Sequence, residues 1–225
     1  MPAHPLLAAL TEAVLPQRCI ACGHFGAALH SHCLAALPRA EEPRCPVCWT
    51  PGPGGPCTRC LEEPPAFEAL RARFRFEGDV RRALLEAKFR GKTALLAPLA
   101  VAAADVLPAA WHIDAVVPVP LHRGRQRQRG YNQAALIAKT VARRLDCPLA
   151  AGLLRRSRAT APQAGLPAAE RATNLRDAFE AHDAVGEVLL IDDVTTTGAT
   201  FEAAARALKH AGANGVYALA IARED

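Results

Sequence analysis

The residues best suited to chemistry lie in 187–200, which reads Glu-Val-Leu-Leu-Ile-Asp-Asp-Val-Thr-Thr-Thr-Gly-Ala-Thr. Two adjacent carboxylates, Asp192 and Asp193, follow an apolar run and precede a turn rich in threonine and glycine. Small residues before a helix favour anion binding, because the first N–H groups of a helix lack partners within it. Two carboxylates beside such a site would repel a bare polyphosphate, so they indicate a ligand with hydroxyl groups. A ribose 5-phosphate meets both requirements, with its diol on the aspartates and its phosphate on the turn.

A strand and a helix must position these residues. Residues 188–191 form an apolar run typical of a buried parallel strand, which we expect to end at the aspartate pair. A helical pattern begins at Phe201. An ordinary strand-to-helix turn, with Asp193 or a threonine as the helix cap, is the simpler interpretation. That interpretation explains one aspartate and one threonine but not their order, so we favour a ligand site.

The rest of the body predicts a mainly parallel, doubly wound α/β sheet with flanking helices, because strand and helix patterns alternate along it. The predicted strands are 67–76, 113–119, 149–154, a short strand from Phe179, and 216–221, which closes the sheet. The predicted helices are 80–89, 93–107, 131–145 and 201–211, with Leu84, Leu85 and Phe89 on the buried face of the first. Ligands of such sheets bind at the carboxyl ends of strands, where Asp192 is expected.

Two arginine-rich segments follow predicted strands. The first covers residues 122–133, and the second begins at Arg155 and continues through Gln163, Arg171 and Asn174 to Arg176. A solvated surface is the ordinary interpretation of such loops. Here both would overhang the sheet edge that carries the aspartate pair, as a polyanionic ligand requires. We expect residues 155–177 to close as a hood that excludes water.

Three CxxC pairs lie in the first 60 residues, and this spacing turns both sulfurs toward one tetrahedral ion, usually zinc. The second and third pairs predict a site of four thiolates, formed by Cys45, Cys48, Cys57 and Cys60. For the first pair we prefer a site formed by Cys19, Cys22, His30 and Cys33. His24 and His32 are alternatives to His30, and a single zinc ion or ligands interleaved between the clusters also fit the sequence. Closed four-coordinate sites of this kind are structural.

Length and composition bound the interpretation. The 225 residues suffice for one α/β domain and a small appendage. We expect an N-terminal helix and double zinc ribbon in 1–65 and the α/β domain in 66–225. The net charge of +5 suits phosphorylated ligands or nucleic acid and decides for neither. The sequence shows no convincing signal peptide and no run long enough to span a bilayer, so we expect a cytoplasmic protein without membrane insertion.

The aspartate pair and the turn after it resemble the phosphoribosyl-pyrophosphate (PRPP) signature of type I phosphoribosyltransferases. Much more of the chain is similar to the ComF-type competence-protein family. The stretches that carry this similarity are Lys88-Phe89-Arg90-Gly91, Val-Pro-Val-Pro-Leu-His-Arg at 117–123, Arg-Gly-Tyr-Asn-Gln at 129–133, and Gln163, Arg171 and Asn174 before Phe179. The double zinc ribbon agrees as well, although His30 departs from the usual all-cysteine pattern. That family joins a type I phosphoribosyltransferase-like domain to the ribbon and is linked to uptake and processing of transforming DNA.

The resemblance implies roles for individual positions. PRPP would be bound by Asp192, Asp193, Val194, Thr195, Thr196, Thr197, Gly198, Ala199 and Thr200, with the aspartates on the ribose hydroxyls and the turn on the 5-phosphate. Pyrophosphate would meet the loop of Val119, Pro120, Leu121, Arg123 and Arg129, together with Lys88. Mg²⁺ would bridge pyrophosphate and ribose oxygens, mostly through water.

The acceptor stays open at this level. In 6-oxopurine salvage enzymes an acid usually stands where this chain has Thr196, so hypoxanthine or guanine salvage is disfavoured. Three functions remain: a phosphoribosyltransferase with an unidentified acceptor, a non-catalytic PRPP sensor, and a competence factor that binds single-stranded DNA or competence-machinery proteins.

Overall fold

The computed structural model describes residues 17–156 and 178–225. In chain order the elements are α1 (Ser31–Ala35), α2 (Thr58–Glu62), β1 (Ala69–Arg75), α3 (Gly78–Phe89), a 3-10 turn (Thr93–Leu95), α4 (Leu96–Ala104), β2 (Ala115–Pro118), α5 (Arg123–Arg129), α6 (Gln133–Leu145), β3 (Leu154–Arg156), β4 (Phe179–Ala181), β5 (Glu187–Thr195), α7 (Ala199–His210) and β6 (Gly215–Arg223). None of these helices is long and apolar enough to cross a membrane.

The main sheet has four strands in the order β1-β6-β5-β2, and every pairing in it is parallel. β5 is interior, paired with β6 from Glu187↔Gly215 to Thr195↔Arg223 and with β2 from Ala115↔Val188 to Pro118↔Ile191. β3 and β4 form a separate antiparallel pair. The prediction of a mainly parallel α/β sheet with flanking helices is confirmed.

The two faces of the sheet are covered differently, because successive side chains of a strand point to opposite faces. Leu189 and Ile191 belong to the core shared with α3, α4 and α6. Val188 and Leu190 belong to the core shared with α7 and with the second cysteine cluster, which consists of Cys45, Cys48, Cys57 and Cys60. In that second core, the buried Trp49 donates from Nε1 to the carbonyl of Ala72 at 2.9 Å. The cysteine-rich segment is therefore packed directly on the sheet.

The strand boundaries differ from the sequence predictions. β5 does not end at residue 191, because β6 is nine residues long and pairs with it as far as Thr195. Asp192 and Asp193 thus lie within the strand. β6 does not close the sheet at an edge but lies between β1 and β5. The strand expected at 149–154 is reduced to Leu154 at the start of β3 and to one isolated parallel bridge between Leu149 and Val116.

Two helix predictions are also corrected. The arginine-rich segment 122–133, expected as a loop, contains α5, which ends at Gly130 with a φ of 81°. Phe89, expected on the buried face of α3, is 71% exposed. The buried positions of α3 begin at Val80 and include Leu84, and Phe89 is nine residues beyond Val80. At about 100° per residue it lies on the opposite side of the helix.

Candidate ligand site and metal centres

A cavity of about 660 Å³ lies at the carboxyl ends of β2 and β5. Its volume is within the usual range for a small-molecule site. The walls come from the end of α3, the loop after β2, α5, the start of α6, β3 and β5. Ligand sites of parallel α/β sheets occur at this edge of the sheet.

The acidic side of the cavity is formed by Asp192 and Asp193. Asp193 is 8% exposed, and its Oδ2 lies 3.6 Å from Nζ of Lys88. The backbone N–H of Asp193 donates to Oδ1 of Asp192 at 2.8 Å. Burial, together with the charge of Asp193, raises the pKa of Asp192 to about 7. Asp192 is therefore partly protonated at neutral pH, and a ligand that supplies hydroxyl donors or a cation favours its ionised form.

The basic side is formed by Lys88, Arg125, Arg129 and Arg156. Burial, followed by the charge of Arg125, lowers the pKa of Arg156, while Asp192 acts in the opposite direction. Gathering like charges in one cavity raises its electrostatic energy, and an anionic ligand relieves that cost. The cavity thus offers cations and carboxylates side by side.

The turn between α5 and α6 fixes the wall next to these cations. Asn132 caps α6, accepting from the N–H of Ala134 at 3.0 Å, and donates from Nδ2 to the carbonyl of Val119 at 3.0 Å. The hydroxyl of Tyr131 donates to the carbonyl of Ala87 in α3. These bonds join the loop after β2 to the end of α3, so the two parts of the wall are held together.

The sequence-predicted site residues fall into three groups. Those that line the cavity are Lys88, Val119, Pro120, Leu121, Arg129, Asp192, Asp193, Val194 and Thr200. Five residues from the end of β5 to the start of α7 do not line it: Thr195, Thr196, Thr197, Gly198 and Ala199. Arg123 begins α5, and its side chain lies outside the described part of the structure. Gln163, Arg171, Asn174 and the hood residues after Arg156 lie outside the described residues as well.

Nine of the cavity residues were absent from the predicted site, among them Arg125, Tyr131, Gln133 and Arg156. The sequence signal that could have selected them is the pair of arginine-rich segments with the Arg-Gly-Tyr-Asn-Gln stretch. What the sequence did not provide was the helix α5, which decides which of these side chains face the cavity.

The connection from β5 to α7 is held from several sides. Gly198 has a φ of 83°, a conformation that glycine adopts without the strain other residues incur. Thr197 accepts from the N–H of Ala199 at 3.3 Å through Oγ1. Its carbonyl accepts from Nη1 of Arg59, in α2, at 2.8 Å. The cysteine-rich segment therefore touches the turn directly.

The second cysteine cluster brings together Cys45, Cys48, Cys57 and Cys60, whose sulfurs lie within 4.8 Å of one another. Two of them, in Cys48 and Cys57, are 3.6 Å apart. A tetrahedral zinc site with ordinary Zn–S bonds has sulfurs about 3.8 Å apart. Burial acts to raise the pKa of Cys48, but the hydroxyl and N–H of Thr50 and two neighbouring thiols lower it to about 6. Burial, followed by the neighbouring thiols, raises the pKa of Cys60. The fit to a divalent ion therefore rests on the four sulfurs and the distances between them.

The first cluster contains Cys19, Cys22, His30 and Cys33, also within 4.8 Å of one another. Nδ1 of His30 lies 3.3 Å from Sγ of Cys22, and its Nε2 is 3.2 Å from the carbonyl of Phe25. A ring nitrogen that donates to a carbonyl leaves the other nitrogen with its lone pair free for a metal, as in most histidine ligands. His24 and His32 do not belong to the cluster. Among the described residues, then, two separate four-residue sets could each hold a metal ion.

Comparison with known proteins agrees with this architecture. A family model described as "Phosphoribosyl transferase domain" matches residues 132–224. DNA utilization protein YhgH of Escherichia coli (strain K12) is 31% identical over 214 residues, which cover 91% of this chain and 93% of that protein. The Salmonella typhi protein of that name is 33% identical over 204 residues (86% and 88% covered). Competence protein F of Haemophilus influenzae is 37% identical over 115 residues, covering 49% of this chain and 50% of that one.

The fold and the domain match define the class of protein: the chain contains a type I phosphoribosyltransferase domain, preceded by cysteine clusters typical of a zinc ribbon. The chain belongs to the ComF family, together with DNA utilization protein YhgH and Competence protein F. The glutamine PRPP amidotransferase from B. subtilis, solved with ADP and GMP, shows a weaker likeness (TM-score 0.38, 23% identity, 55% of this chain and 25% of that one).

Proposed function

We propose that this protein binds PRPP in the cavity at the carboxyl ends of β2 and β5. The observation that carries the proposal is the juxtaposition of Asp192 and Asp193 with Lys88, Arg125 and Arg129 in one cavity. A ligand made only of phosphate would be repelled by the carboxylates, and a neutral sugar would form no ion pair with the cations. PRPP offers a diol for the acids and two phosphate-bearing ends for the bases.

The proposed roles follow the positions of the residues. Asp192 and Asp193 accept from the ribose hydroxyls. The 5-phosphate extends to the turn from Thr196 to Thr200 at the N-terminus of α7, of which Thr200 lines the cavity and the other four residues lie beyond it. The loop after β2, with Arg129 and Lys88, faces the pyrophosphate. Mg²⁺ accompanies PRPP and neutralises part of the charge on the pyrophosphate leaving group.

The reaction that this arrangement supports is phosphoribosyl transfer to an acceptor still to be identified. The site would act by positioning and by stabilising developing charge, since it offers cations for the leaving group and acids for the ribose. The proposed setting is DNA uptake or nucleotide metabolism in the cytoplasm. The names of the relatives, DNA utilization protein and Competence protein F, support the link to DNA and competence.

Both cysteine clusters are proposed to hold structural zinc. Each offers four donors and so leaves no open coordination position for chemistry. On this proposal residues 1–65 are the N-terminal helix and double zinc ribbon, and 66–225 are the phosphoribosyltransferase domain. The helix expected before residue 17 lies outside the described residues.

Equilibrium binding of radiolabelled PRPP with Mg²⁺ tests the proposal. The double variant Asp192→Asn/Asp193→Asn should lose at least tenfold in affinity, because an amide offers a weaker acceptor than a carboxylate. The matched control is Asp105→Asn. The carboxylate of Asp105 lies 3.1 Å from the guanidinium of Arg144, and neither residue lines the cavity. Equal affinity of the double variant and the wild type would refute the site. Pyrophosphate release across a panel of acceptors separates an enzyme from a PRPP sensor, because a sensor binds PRPP without releasing pyrophosphate.

A nucleic-acid-binding function has one observation in its favour. α5 reads Arg-Gly-Arg-Gln-Arg-Gln-Arg, and Arg127 is exposed and does not line the cavity. Contacts to phosphates make binding salt-dependent, because they release counterions. Binding of a single strand that weakens with salt and with Arg127→Gln, but not with PRPP, would support this second function.

A further inference from the structure

Phe89 is an unusual lining residue for a cavity that contains several charged side chains. It is the last residue of α3, it lines the cavity, and its side chain is 71% exposed. An exposed large apolar side chain in a concave site is informative, because leaving it in water forfeits the free energy of its burial. The residue next to it, Lys88, is paired with Asp193, so the ring stands beside the proposed ribose site.

A planar cation accompanies the ring. The guanidinium of Arg129 lies 5.6 Å from the centroid of Phe89, within the range of a cation–π contact. Guanidinium groups are flat and weakly hydrated, so they also stack on aromatic rings of ligands. With most of its surface exposed, Phe89 keeps room for a second flat group.

The same arginine also orients a hydrogen-bond donor. Nη1 of Arg129 donates to Oε1 of Gln133 at 2.6 Å, and Gln133 lines the cavity while being 3% exposed. Its Nε2 has no hydrogen-bond partner within the described residues. A buried donor left in this way carries a free-energy cost that an acceptor atom on a ligand would remove.

We infer that Phe89 and Arg129 form a platform for a planar heteroaromatic ring, with Gln133 donating to a ring nitrogen or carbonyl oxygen. The platform deepens the proposed function and rests on it, because the ring is the acceptor that joins the ribose bound at Asp192 and Asp193. Heterocycles fit better than plain aromatic rings, since only they supply an acceptor for Nε2 of Gln133. The ring is that of a free base, because a base in a DNA strand already carries its sugar on the ring nitrogen that would join the ribose.

Calorimetric titrations with ribose 5-phosphate and with a panel of ribonucleoside 5-monophosphates test the inference. The panel covers purine, pyrimidine and pyridine rings, and the proteins are the wild type, Phe89→Leu, Phe89→Tyr and the control Phe76→Leu. Phe76 has the guanidinium of Arg81 5.9 Å from its ring centroid but does not line the cavity.

At least one monophosphate should bind the wild type about tenfold more tightly than ribose 5-phosphate does, as expected for one stacked base. Phe89→Leu should abolish that gain and leave the affinity for ribose 5-phosphate unchanged. Phe89→Tyr and Phe76→Leu should retain it. A gain that survives in Phe89→Leu, or no gain for any ring in the wild type, overturns the platform.

The two proposals fail differently. If ribose 5-phosphate does not bind while a monophosphate binds in a Phe89-dependent way, the ribose site is wrong and the platform stands. Absence of binding by every probe overturns both. A short 5′-phosphorylated DNA strand is the remaining arm: a loss in Phe89→Leu for the strand alone assigns the ring to DNA and overturns its role as the acceptor.

Discussion

At the scale of single residues, ionisation of Asp192 beside Asp193 lowers the stability of the ligand-free protein. The pKa of Asp192 is raised by burial, and then by Asp193, from an ordinary 3.8 to about 7. Between these two values the folded state holds a proton that the unfolded state has lost. Stability contributed by the protonated carboxyl is therefore lost as pH rises through about 7.

The first prediction concerns this cost. Asp192→Asn keeps an oxygen that can accept from the N–H of Asp193 but cannot ionise. The variant should be more stable than the wild type at pH 8, on the order of 2 kcal/mol, with the difference shrinking toward pH 4. Denaturant unfolding of both proteins across this pH range measures it. A difference that does not depend on pH would show that ionisation of Asp192 is not costly.

The second prediction concerns Lys88, which pairs with Asp193 at 3.6 Å and lines the cavity. Lys88→Met should weaken binding of Mg²⁺-PRPP by about tenfold, the usual size of a lost charge-assisted contact. The control is Lys92→Met, which removes an ion pair to Glu86 at 2.7 Å outside the cavity. Isothermal titration should separate the two, and equal losses would mean that Lys88 has no specific role.

At the scale of elements, the sequence predicted that most strands and helices exist but not where they begin and end. The apolar run 188–191 was sufficient to predict a buried parallel strand, because buried parallel strands are apolar on both faces. Its continuation through the aspartates depends on pairing with β6, which no local pattern contains. For the same reason the sequence placed the aspartates after the strand.

The other misses at this scale have local physical causes. Phe89 was expected to be buried because it is apolar, but the period of α3 turns it to the opposite side from Val80. α5 has no apolar stripe, so hydrophobic periodicity could not reveal it. By contrast, the two cysteine sets agree with the interpretation preferred from the sequence, because ligand type and spacing are themselves the signal, although spacing alone left His24 and His32 open as alternatives to His30.

The third prediction belongs to the turn between β5 and α7. Gly198→Ala places a Cβ on a residue with a φ of 83°, which costs about 1 kcal/mol. The variant should unfold a few degrees earlier and bind PRPP more weakly, since the proposed phosphate turn must shift. Gly152→Ala is the control, because an added Cβ there meets nothing within 4 Å. Thermal unfolding and PRPP titration of both variants measure the effect, and identical behaviour would contradict it.

At the scale of the whole molecule, the second cysteine cluster and the proposed phosphate turn are joined by a hydrogen bond. Arg59 lies between Cys57 and Cys60 in sequence and donates to the carbonyl of Thr197 at 2.8 Å. Near the end of the chain, Arg223 donates to the carbonyl of Cys48 at 2.9 Å. The cluster is thus hydrogen-bonded both to the turn and to the last strand. Loss of the proposed zinc should therefore weaken ligand binding in the cavity.

The fourth prediction follows from this connection. Arg59→Ala should retain the metal of the wild type but weaken PRPP binding several-fold, because the turn loses a hydrogen bond to a charged donor. Arg39→Ala, which removes a contact to the carbonyl of Ala35 within the cysteine-rich segment, should change neither. Metal content by mass spectrometry and PRPP affinity are both needed. Normal affinity in Arg59→Ala would show that the two regions act independently.

A crystal structure of the protein with PRPP and Mg²⁺ would show whether the cavity between the aspartates and the basic residues is the PRPP site. We expect ribose hydroxyls within hydrogen-bond distance of Asp192 and Asp193, the 5-phosphate on residues 196–200, and the pyrophosphate facing Lys88 and Arg129. PRPP bound outside this cavity, or turned so that its pyrophosphate lies on residues 196–200, would contradict it.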